Sequence, residues 1–218
     1  MIEHSERIRV LCLNPLVLVV DDVFDAALAD KIISLGSEGM ARAKVVGKTI
    51  GDTNDSRTND AATIDQWSVP ELTGLVTEIS GIVRLPPENS EPTQLLRYRG
   101  KQRFEPHPDA FSNTPSGREA LAQGGQRLFT TICYLNDVDT GGETEFPHLK
   151  LRIAPRLGRV LIFANTRLGT AEPHPHSEHS GRAVGKGEKF ALSIWWRQLA
   201  YHVQRQFPPE DGETRLIG

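Results

Sequence analysis

The chain has 218 residues, of which 38% are hydrophobic, and its net charge at pH 7 is −3. A chain of this length can bury a core without disulfides, so we expect a single domain over residues 1–218. The small negative charge would attract neither nucleic acid nor an anionic membrane, and neither is expected as a partner. The two cysteines, Cys12 and Cys133, lack a paired spacing, which favours a reducing compartment over a secreted disulfide framework.

The N-terminal part, residues 1–90, is predicted to contain a strand and two helices. The apolar run from Leu11 to Val20 is too short to span a bilayer and is interpreted as one strand. A helix is predicted after Asp22, with Asp22 as its N-cap and Gly36 as its end. A second helix is predicted from Pro70 onward because apolar residues recur there every three or four positions. These residues are Leu72, Leu75, Val76, Ile79 and Val83.

From about residue 91 to residue 200 the helical period gives way to strands and turns. The clearest strand patterns are 94–107, which a glycine turn interrupts, 126–134, 158–163 and the block from His179 to Trp196. Helices followed by a series of antiparallel strands are typical of an α+β domain. We therefore predict a double-stranded β-helix, or jelly-roll, core that is supported by the N-terminal helices.

His107 and Asp109 form a His-x-Asp pair at the end of the first of these strand segments. In this composition chance alone predicts roughly one His-x-acid pair, so the pair by itself carries little information. Two others occur, His4/Glu6 and His176/Glu178. The position of His107/Asp109 at the end of a strand, turn and strand favours it as part of a site. With the distant His179 it would supply two imidazoles and a carboxylate to one face of an iron, leaving other positions open.

Lys189 begins the most hydrophobic strand of the chain, where an unpaired ammonium group would be costly and a bound carboxylate would offset that cost. Strand alternation predicts that the side chains on its own face line a cavity and that those on the other face pack under helices. The first set is Ala191, Ser193 and Trp195, and the second is Phe190, Leu192, Ile194 and Trp196.

Taken together, these blocks resemble the prolyl 4-hydroxylase family of Fe(II)/2-oxoglutarate dioxygenases. The resemblance runs from about Arg57 to Arg197. It rests on Gln94…Arg97-Tyr98…Gly100…Phe104…His107-Pro-Asp109, Tyr134-Leu-Asn-Asp…Gly141-Gly-Glu-Thr-Glu-Phe-Pro147, Gly158…Phe163, and His179-Ser-Gly…Gly-Glu-Lys189-Phe…Trp195-Trp-Arg197. Two positions depart from the family pattern, Ala183 in place of a usual Pro and Phe190 in place of a usual Trp. Neither is a ligand position, so they bear on substrate identity more than on the chemistry.

The resemblance implies that His107, Asp109 and His179 bind Fe(II). It also implies that 2-oxoglutarate and O2 are co-substrates, that Lys189 and Tyr134 hold the 5-carboxylate of 2-oxoglutarate, and that Tyr98 lines the same site. Ascorbate is expected as a further small molecule. Arg57 and Trp195 are the candidate substrate residues, and the stretch 47–62 around Arg57 is expected to cover the substrate. In the alternative interpretation Tyr134 is only a core residue and 47–62 only a surface loop.

The first functional hypothesis is hydroxylation of proline in a peptide or protein. A second keeps the chemistry but assigns it to a free amino acid, a lysyl residue or a small metabolite. A third, disfavoured by the intact ligand set, is a jelly-roll binding module without catalysis. A secretory leader is not recognisable in the sequence, so a cytoplasmic location is expected, and no motif indicates an oligomeric state.

Overall fold

The computed structural model describes residues 7–43, 45–46, 50–52 and 55–202. The described chain begins with a hairpin of β1 (Ile8–Leu13) and β2 (Leu16–Val20), which pair antiparallel. The prediction of one continuous strand from Leu11 to Val20 was therefore wrong. The chain reverses at Asn14 and Pro15, where proline has no N–H to donate to a ladder.

Two N-terminal helices are present, α1 (Ala26–Ser37) and α2 (Pro70–Val83). The predicted cap of α1 was wrong by three residues. The side chain of Asp25, not Asp22, accepts a hydrogen bond from the backbone N–H of Leu28 at 2.9 Å, while Asp22 lies before the helix with a positive φ of 56°. For α2 the prediction is confirmed, and all five of the residues predicted for its apolar face are buried.

Gly36 does not end α1, which continues to Ser37. It is buried, and a Cβ atom at this position would lie 2.5 Å from Cδ2 of Leu95 on the sheet below. A third helix, α3 (Pro115–Leu121), was not predicted from the sequence. Short 3-10 turns lie at Gln66–Ser68, Pro87–Asn89 and Pro147–Leu149.

The remaining strands form, together with β1 and β2, two facing antiparallel sheets and one separate pair. They are β3 (Ala41–Arg42), β4 (Val45–Val46), β5 (Ile50–Asp52), β6 (Asp60–Ile64), β7 (Thr93–Arg99), β8 (Phe104–His107), β9 (Arg127–Tyr134), β10 (Thr144–Phe146), β11 (Leu151–Ile153), β12 (Val160–Ala164), β13 (His179–Gly181) and β14 (Glu188–Arg197). The major sheet has the order β1-β2-β12-β9-β14-β7-β6-β3, the minor sheet has the order β11-β10-β13-β8, and β4 pairs with β5.

The major sheet has a helix-covered face and a face toward the minor sheet. Leu192, Ile194 and Trp196 of β14 are buried in the cluster that includes Ile32 of α1 and Leu72 of α2. On the other face, residues of β9, β12 and β14 pack with Phe146 of β10 and Ile153 of β11. The predicted two faces of β14 are thus confirmed, and the architecture is the α+β jelly roll expected from the order of elements.

Candidate active site

Three potential metal ligands meet on two neighbouring strands of the minor sheet. His107 ends β8 and His179 begins β13, and the two residues are direct partners in the antiparallel register. Asp109 follows two residues after His107. Nε2 of His107 lies 3.7 Å from Oδ1 of Asp109, and Nε2 of His179 lies 3.6 Å from Oδ2. One donor atom from each residue lies within 4.8 Å of the others, close enough for the three side chains to share one ion.

Hydrogen bonds fix the tautomer of both imidazoles. Nδ1 of His107 is 2.7 Å from the carbonyl oxygen of Glu105, and Nδ1 of His179 is 3.2 Å from that of Ser177. A carbonyl oxygen can only accept, so each Nδ1 must carry the proton. The Nε2 lone pairs are therefore available to a metal, which is how ligating histidines are usually oriented.

The electrostatics of His107 and Asp109 also fit a divalent metal. Burial, with a contribution from His179, lowers the pKa of His107 to about 3, so the ring is neutral at physiological pH. Burial alone would raise the pKa of Asp109, but His179, His107, Arg127 and the Thr130 hydroxyl outweigh it and lower that pKa below its usual value. Neutral imidazoles and an ionised carboxylate are the protonation states that metal binding requires, and this donor set with open positions is typical of non-haem Fe(II).

Thr130 and Asn165 hold Asp109 and were missed by the sequence analysis. The Thr130 hydroxyl donates to Oδ2 of Asp109 at 2.6 Å, and Nδ2 of Asn165 donates to the Thr130 oxygen at 2.8 Å. With its oxygen already accepting from Asn165, the single hydroxyl proton of Thr130 is directed at the carboxylate. The sequence did carry a signal, because Thr130 shares the parity of Tyr134 on β9 and must face the same side of the sheet.

Trp195, a predicted substrate residue, has a partner that the sequence did not indicate. Its indole Nε1–H donates to Oδ2 of Asp109 at 2.9 Å. Trp195 also lines the cavity beside the three potential ligands. Its polar edge is thus occupied by the carboxylate, and only the ring surface is left for a substrate.

Lys189 lines the same cavity and is 2% exposed. Its Nζ lies 5.0 Å from the ring centre of Tyr98 and 5.3 Å from that of Tyr134. Within the described part of the chain Lys189 makes no ion pair, although Glu143 acts on it at longer range. Burial lowers the pKa of Lys189 to about 7, an effect that Glu143 partly opposes. Such a group is ready to bind an anion, which would restore its charge.

Two tyrosines predicted to hold the co-substrate are fully or almost fully buried around Lys189. Burial raises the pKa of Tyr98 to about 12 and raises that of Tyr134 as well, so both phenols stay protonated. The Tyr134 hydroxyl donates to Oγ1 of Thr144 at 2.8 Å, and Thr144 lines the cavity. Thr144 was not singled out from the sequence, although it lies within the Gly141–Pro147 block.

Arg57 is buried at this cavity rather than exposed on a surface loop. Its guanidinium lies over the ring of Phe104 at 4.8 Å, and that ring stacks on His107 at 3.4 Å between ring centres. Arg57 also donates to Oδ1 of Asn59 at 3.1 Å. Of the predicted substrate-covering stretch, residues 47–49 and 53–54 lie outside the described residues.

Two further histidines, His148 and His174, do not join this group. His148 pairs with Glu178 at 3.1 Å, and the His174 ring contacts Oδ1 of Asn14 at 3.0 Å. His4 and Glu6 lie outside the described residues.

Comparison with known proteins identifies the family. Residues 93–197 match the model of the 2OG-Fe(II) oxygenase superfamily. Prolyl 4-hydroxylase 5 of Arabidopsis thaliana is 30% identical to this chain over an alignment that covers 92% of the chain and 75% of the relative. This chain belongs to the prolyl 4-hydroxylase family. Probable prolyl 4-hydroxylase 8 of the same plant is also 30% identical, over 89% of this chain and 73% of its own length. The protein is thus an Fe(II)- and 2-oxoglutarate-dependent dioxygenase, as expected from its motifs.

Solved structures of lower identity show the same fold. The viral collagen prolyl hydroxylase of Paramecium bursaria Chlorella virus-1, solved with 2-oxoglutarate, gives a TM-score of 0.67 at 22% identity and covers 86% of this chain and 98% of its own. A Trichoplax adhaerens prolyl hydroxylase, solved with a peptide fragment of hypoxia inducible factor, gives a TM-score of 0.61 at 14% identity and covers 83% of this chain and 83% of its own. Both similarities support the jelly-roll architecture. None of the helices in the described ranges is long and apolar enough to cross a membrane.

Proposed function

We propose that this dioxygenase hydroxylates proline residues in a peptide or protein and binds Fe(II) through His107, Asp109 and His179. The observation that carries the proposal is the meeting of these three donors within 4.8 Å beside the buried Lys189. When bound, the iron supplies the activation of O2 that couples conversion of 2-oxoglutarate to succinate and CO2 with hydroxylation of a C–H bond. The protein then has to position both organic substrates and exclude water.

Lys189 is proposed to hold the 5-carboxylate of 2-oxoglutarate. A carboxylate beside it would return the ammonium to its charged state in a site from which water is largely excluded, where charge-assisted hydrogen bonds are strong. Tyr134 donates its one hydroxyl proton to Thr144, which lines the same cavity. Tyr134 is therefore proposed to orient the Thr144 hydroxyl, whose own proton is left to donate to the carboxylate. Tyr98 lines the cavity near Lys189 and completes its wall.

The substrate is proposed to lie on the side of the metal site formed by Arg57, Phe104 and Trp195. The Trp195 ring lines the cavity and offers apolar surface to a pyrrolidine ring. The Phe104 ring stacks on His107 and lies under the Arg57 guanidinium, so it holds these two side chains at the edge of the substrate position. The names of the relatives support proline as the target, since both Arabidopsis proteins are named as prolyl 4-hydroxylases. Requirement for ascorbate and a cytoplasmic location stay predictions.

A substrate panel tests the proposal. The purified protein, Fe(II), 2-oxoglutarate and O2 would be incubated with proline-containing peptides, the same peptides with alanine for proline, lysine-containing peptides and free proline. We expect succinate formation above the uncoupled level, and a product heavier by one oxygen atom, only with the proline peptides. Turnover of free proline or of the lysine peptides alone would overturn the substrate assignment and leave the iron chemistry standing.

Substitutions test the residue assignments. His107→Ala, Asp109→Ala and His179→Ala should abolish turnover, because two remaining ligands hold iron poorly. Lys189→Ala should mainly raise the KM for 2-oxoglutarate. His148→Ala and His176→Ala are controls that remove nearby histidines outside the group and should keep wild-type kinetics. Wild-type turnover in any one of the three ligand variants would show that the residue is misassigned.

A further inference from the structure

We propose that Arg127 is a positioning residue for the metal ligand Asp109 and that it acts through the indole of Trp195. The inference rests on the proposed metal site. Arg127 lies at the start of β9, and its side chain is 13% exposed. It contacts no proposed ligand at hydrogen-bond distance, because its Nη1 is 4.0 Å from Oδ1 of Asp109.

Trp195 connects Arg127 to the carboxylate. The Arg127 guanidinium lies over the Trp195 ring at 4.2 Å, and the indole N–H of Trp195 donates to Oδ2 of Asp109. A planar guanidinium on an aromatic face gives a cation–π contact and fixes the plane of that ring. Since the indole N–H points along the ring plane, a fixed ring also fixes the direction of its hydrogen bond to Asp109.

Arg127 is itself held rigidly by a buried ion-pair chain. Nε and Nη2 of Arg127 donate to the two carboxylate oxygens of Glu91 at 2.6 and 2.7 Å. Glu91 is also 2.5 Å from Nε of Arg197. Arg197 in turn donates to the carbonyl oxygens of Ala120 and Gly125, at 3.0 and 2.7 Å, around the end of α3. This series of ion pairs, Arg127–Glu91–Arg197, connects α3 to the guanidinium that packs on the Trp195 ring.

The two arginines of this series also contact the loop that follows Asp109. Both guanidinium groups, of Arg127 and Arg197, lie over the Phe111 ring, at 4.8 and 4.6 Å. The backbone of Phe111 exchanges two hydrogen bonds with the Gln126 side chain, at 2.7 and 3.0 Å. The segment that carries Asp109 is therefore anchored directly after the ligand as well as at its carboxylate.

Orientation should outweigh charge repulsion between Arg127 and the metal. The bidentate contact with Glu91 offsets part of the charge of the guanidinium and so reduces its repulsion of a divalent ion. A ligand that is already oriented loses no conformational freedom when the ion binds. Outer partners of metal ligands typically contribute a factor of about 10 to 100 to metal affinity.

The proposal is tested by measuring the Kd for Mn(II) in four variants. Mn(II) is used in place of Fe(II) because it is not readily oxidised by air. The four variants are Arg127→Met, Glu91→Gln/Arg127→Met, Trp195→Phe and Arg127→Met/Trp195→Phe. In Arg127→Met the Glu91 carboxylate keeps Arg197 as its partner, and the second variant also removes the charge of Glu91, which separates an effect of that carboxylate from the effect of Arg127. Trp195→Phe keeps a ring under Arg127 but removes the indole donor. Arg159→Met is the matched control, because Arg159 is similarly buried, at 15% exposure, in an ion pair with Asp21.

We expect the Kd for Mn(II) to rise about tenfold or more in Arg127→Met, in Glu91→Gln/Arg127→Met and in Trp195→Phe. The Arg127→Met/Trp195→Phe variant should be no weaker than Trp195→Phe alone, because both changes remove the same contact. The visible absorption of bound Co(II), which reports ligand geometry, should change in these variants and stay as wild type in Arg159→Met.

A wild-type Kd for Mn(II) in Arg127→Met would overturn the role assigned to Arg127. The same conclusion would follow if the loss of Mn(II) affinity in Arg127→Met/Trp195→Phe were the product of the losses in the two single variants. His107→Ala serves as the reference for the site itself. If that variant bound Mn(II) as tightly as the wild type, the proposed metal site would fail together with the inference. Lost binding in His107→Ala with unchanged binding in Arg127→Met would refute the inference alone.

Discussion

At the scale of single residues, the site depends on where burial places each charge. Lys189 and Asp109 are both buried, yet their surroundings differ. Asp109 has two hydrogen-bond donors and a guanidinium nearby, whereas Lys189 has neighbouring phenols and no ion pair among the described residues. The carboxylate therefore stays charged without a ligand, while the ammonium gains its full charge only when an anion arrives.

Affinity for 2-oxoglutarate should depend on pH through Lys189. The pKa of Lys189 in the free protein is about 7, and a bound carboxylate would raise it. Above pH 7 binding must therefore take up a proton, and the Kd should rise about tenfold per pH unit. Below that pH the ammonium is already charged and the Kd should be level.

Calorimetric titration with Mn(II) saturating the metal site, in buffers of different ionisation enthalpy, would measure both the Kd and the proton uptake. Lys189→Arg keeps a positive charge over the whole range and should give a level Kd. An unchanged wild-type Kd between pH 7 and pH 9 would contradict this prediction.

At the scale of secondary structure elements, the site is built by pairing between strands that are distant in sequence. The register of β8 with β13 places His107 opposite His179, while β9 and β14 bring Thr130 and Trp195 beneath Asp109. The outer face of the major sheet is supported by α1 and α2. Close approach of α1 to β7 depends on Gly36, where the helix has no side chain to separate it from Leu95.

Gly36→Ala should destabilise the protein although alanine is the better helix former. The gain in helix propensity is about 1 kcal/mol. The added Cβ would lie 2.5 Å from Cδ2 of Leu95 and 3.2 Å from Cδ1 of Ile64, and such overpacking costs about 1–3 kcal/mol. We therefore expect a net loss of unfolding free energy, measured by urea denaturation.

Gly74→Ala is the matched control on α2, because a Cβ at Gly74 would meet no described atom within 4 Å outside its own helix backbone. Only the propensity term applies there, so stability should rise by up to about 1 kcal/mol. Equal effects of the two substitutions would show that α1 shifts freely on the sheet.

At the scale of the whole molecule, the metal and co-substrate are expected to add to a core that already folds without them. Buried apolar residues fill both the interface between the helices and the major sheet and the interface between the two sheets. Binding to the folded chain alone must still stabilise it by mass action. The proposed site spans both sheets, so this stabilisation should extend to global unfolding.

Mn(II) with 2-oxoglutarate should raise the Tm of the wild type, and a chelator should reverse the rise. At a hundredfold excess of ligand over its Kd the gain is about 2.7 kcal/mol. Asp109→Ala should show no such rise, whereas Glu178→Ala, which changes a carboxylate outside the group, should respond as the wild type does. Thermal unfolding with and without ligand measures the effect. An equal rise in Asp109→Ala would place the stabilising metal elsewhere.

The sequence by itself determined the local periods and motifs, and through them the fold class, the apolar face of α2, the two faces of β14 and the residues that meet at the site. These follow from spacing along one segment, which fixes the side toward which a side chain points. From the sequence, the N-cap of α1 was predicted three residues too early, at Asp22, and the turn at Pro15 was missed because Leu11 to Val20 was interpreted as one strand.

Only the tertiary structure decided which side chains become partners across strands and loops. The donors to Asp109, the contact of Tyr134 with Thr144 and the chain through Arg127 and Glu91 all join segments remote from one another in sequence. Such contacts depend on strand order and register, and no local period encodes those. The sequence thus predicted the proposed ligands of the site, whereas the packing of the two sheets decided how those side chains are held and charged.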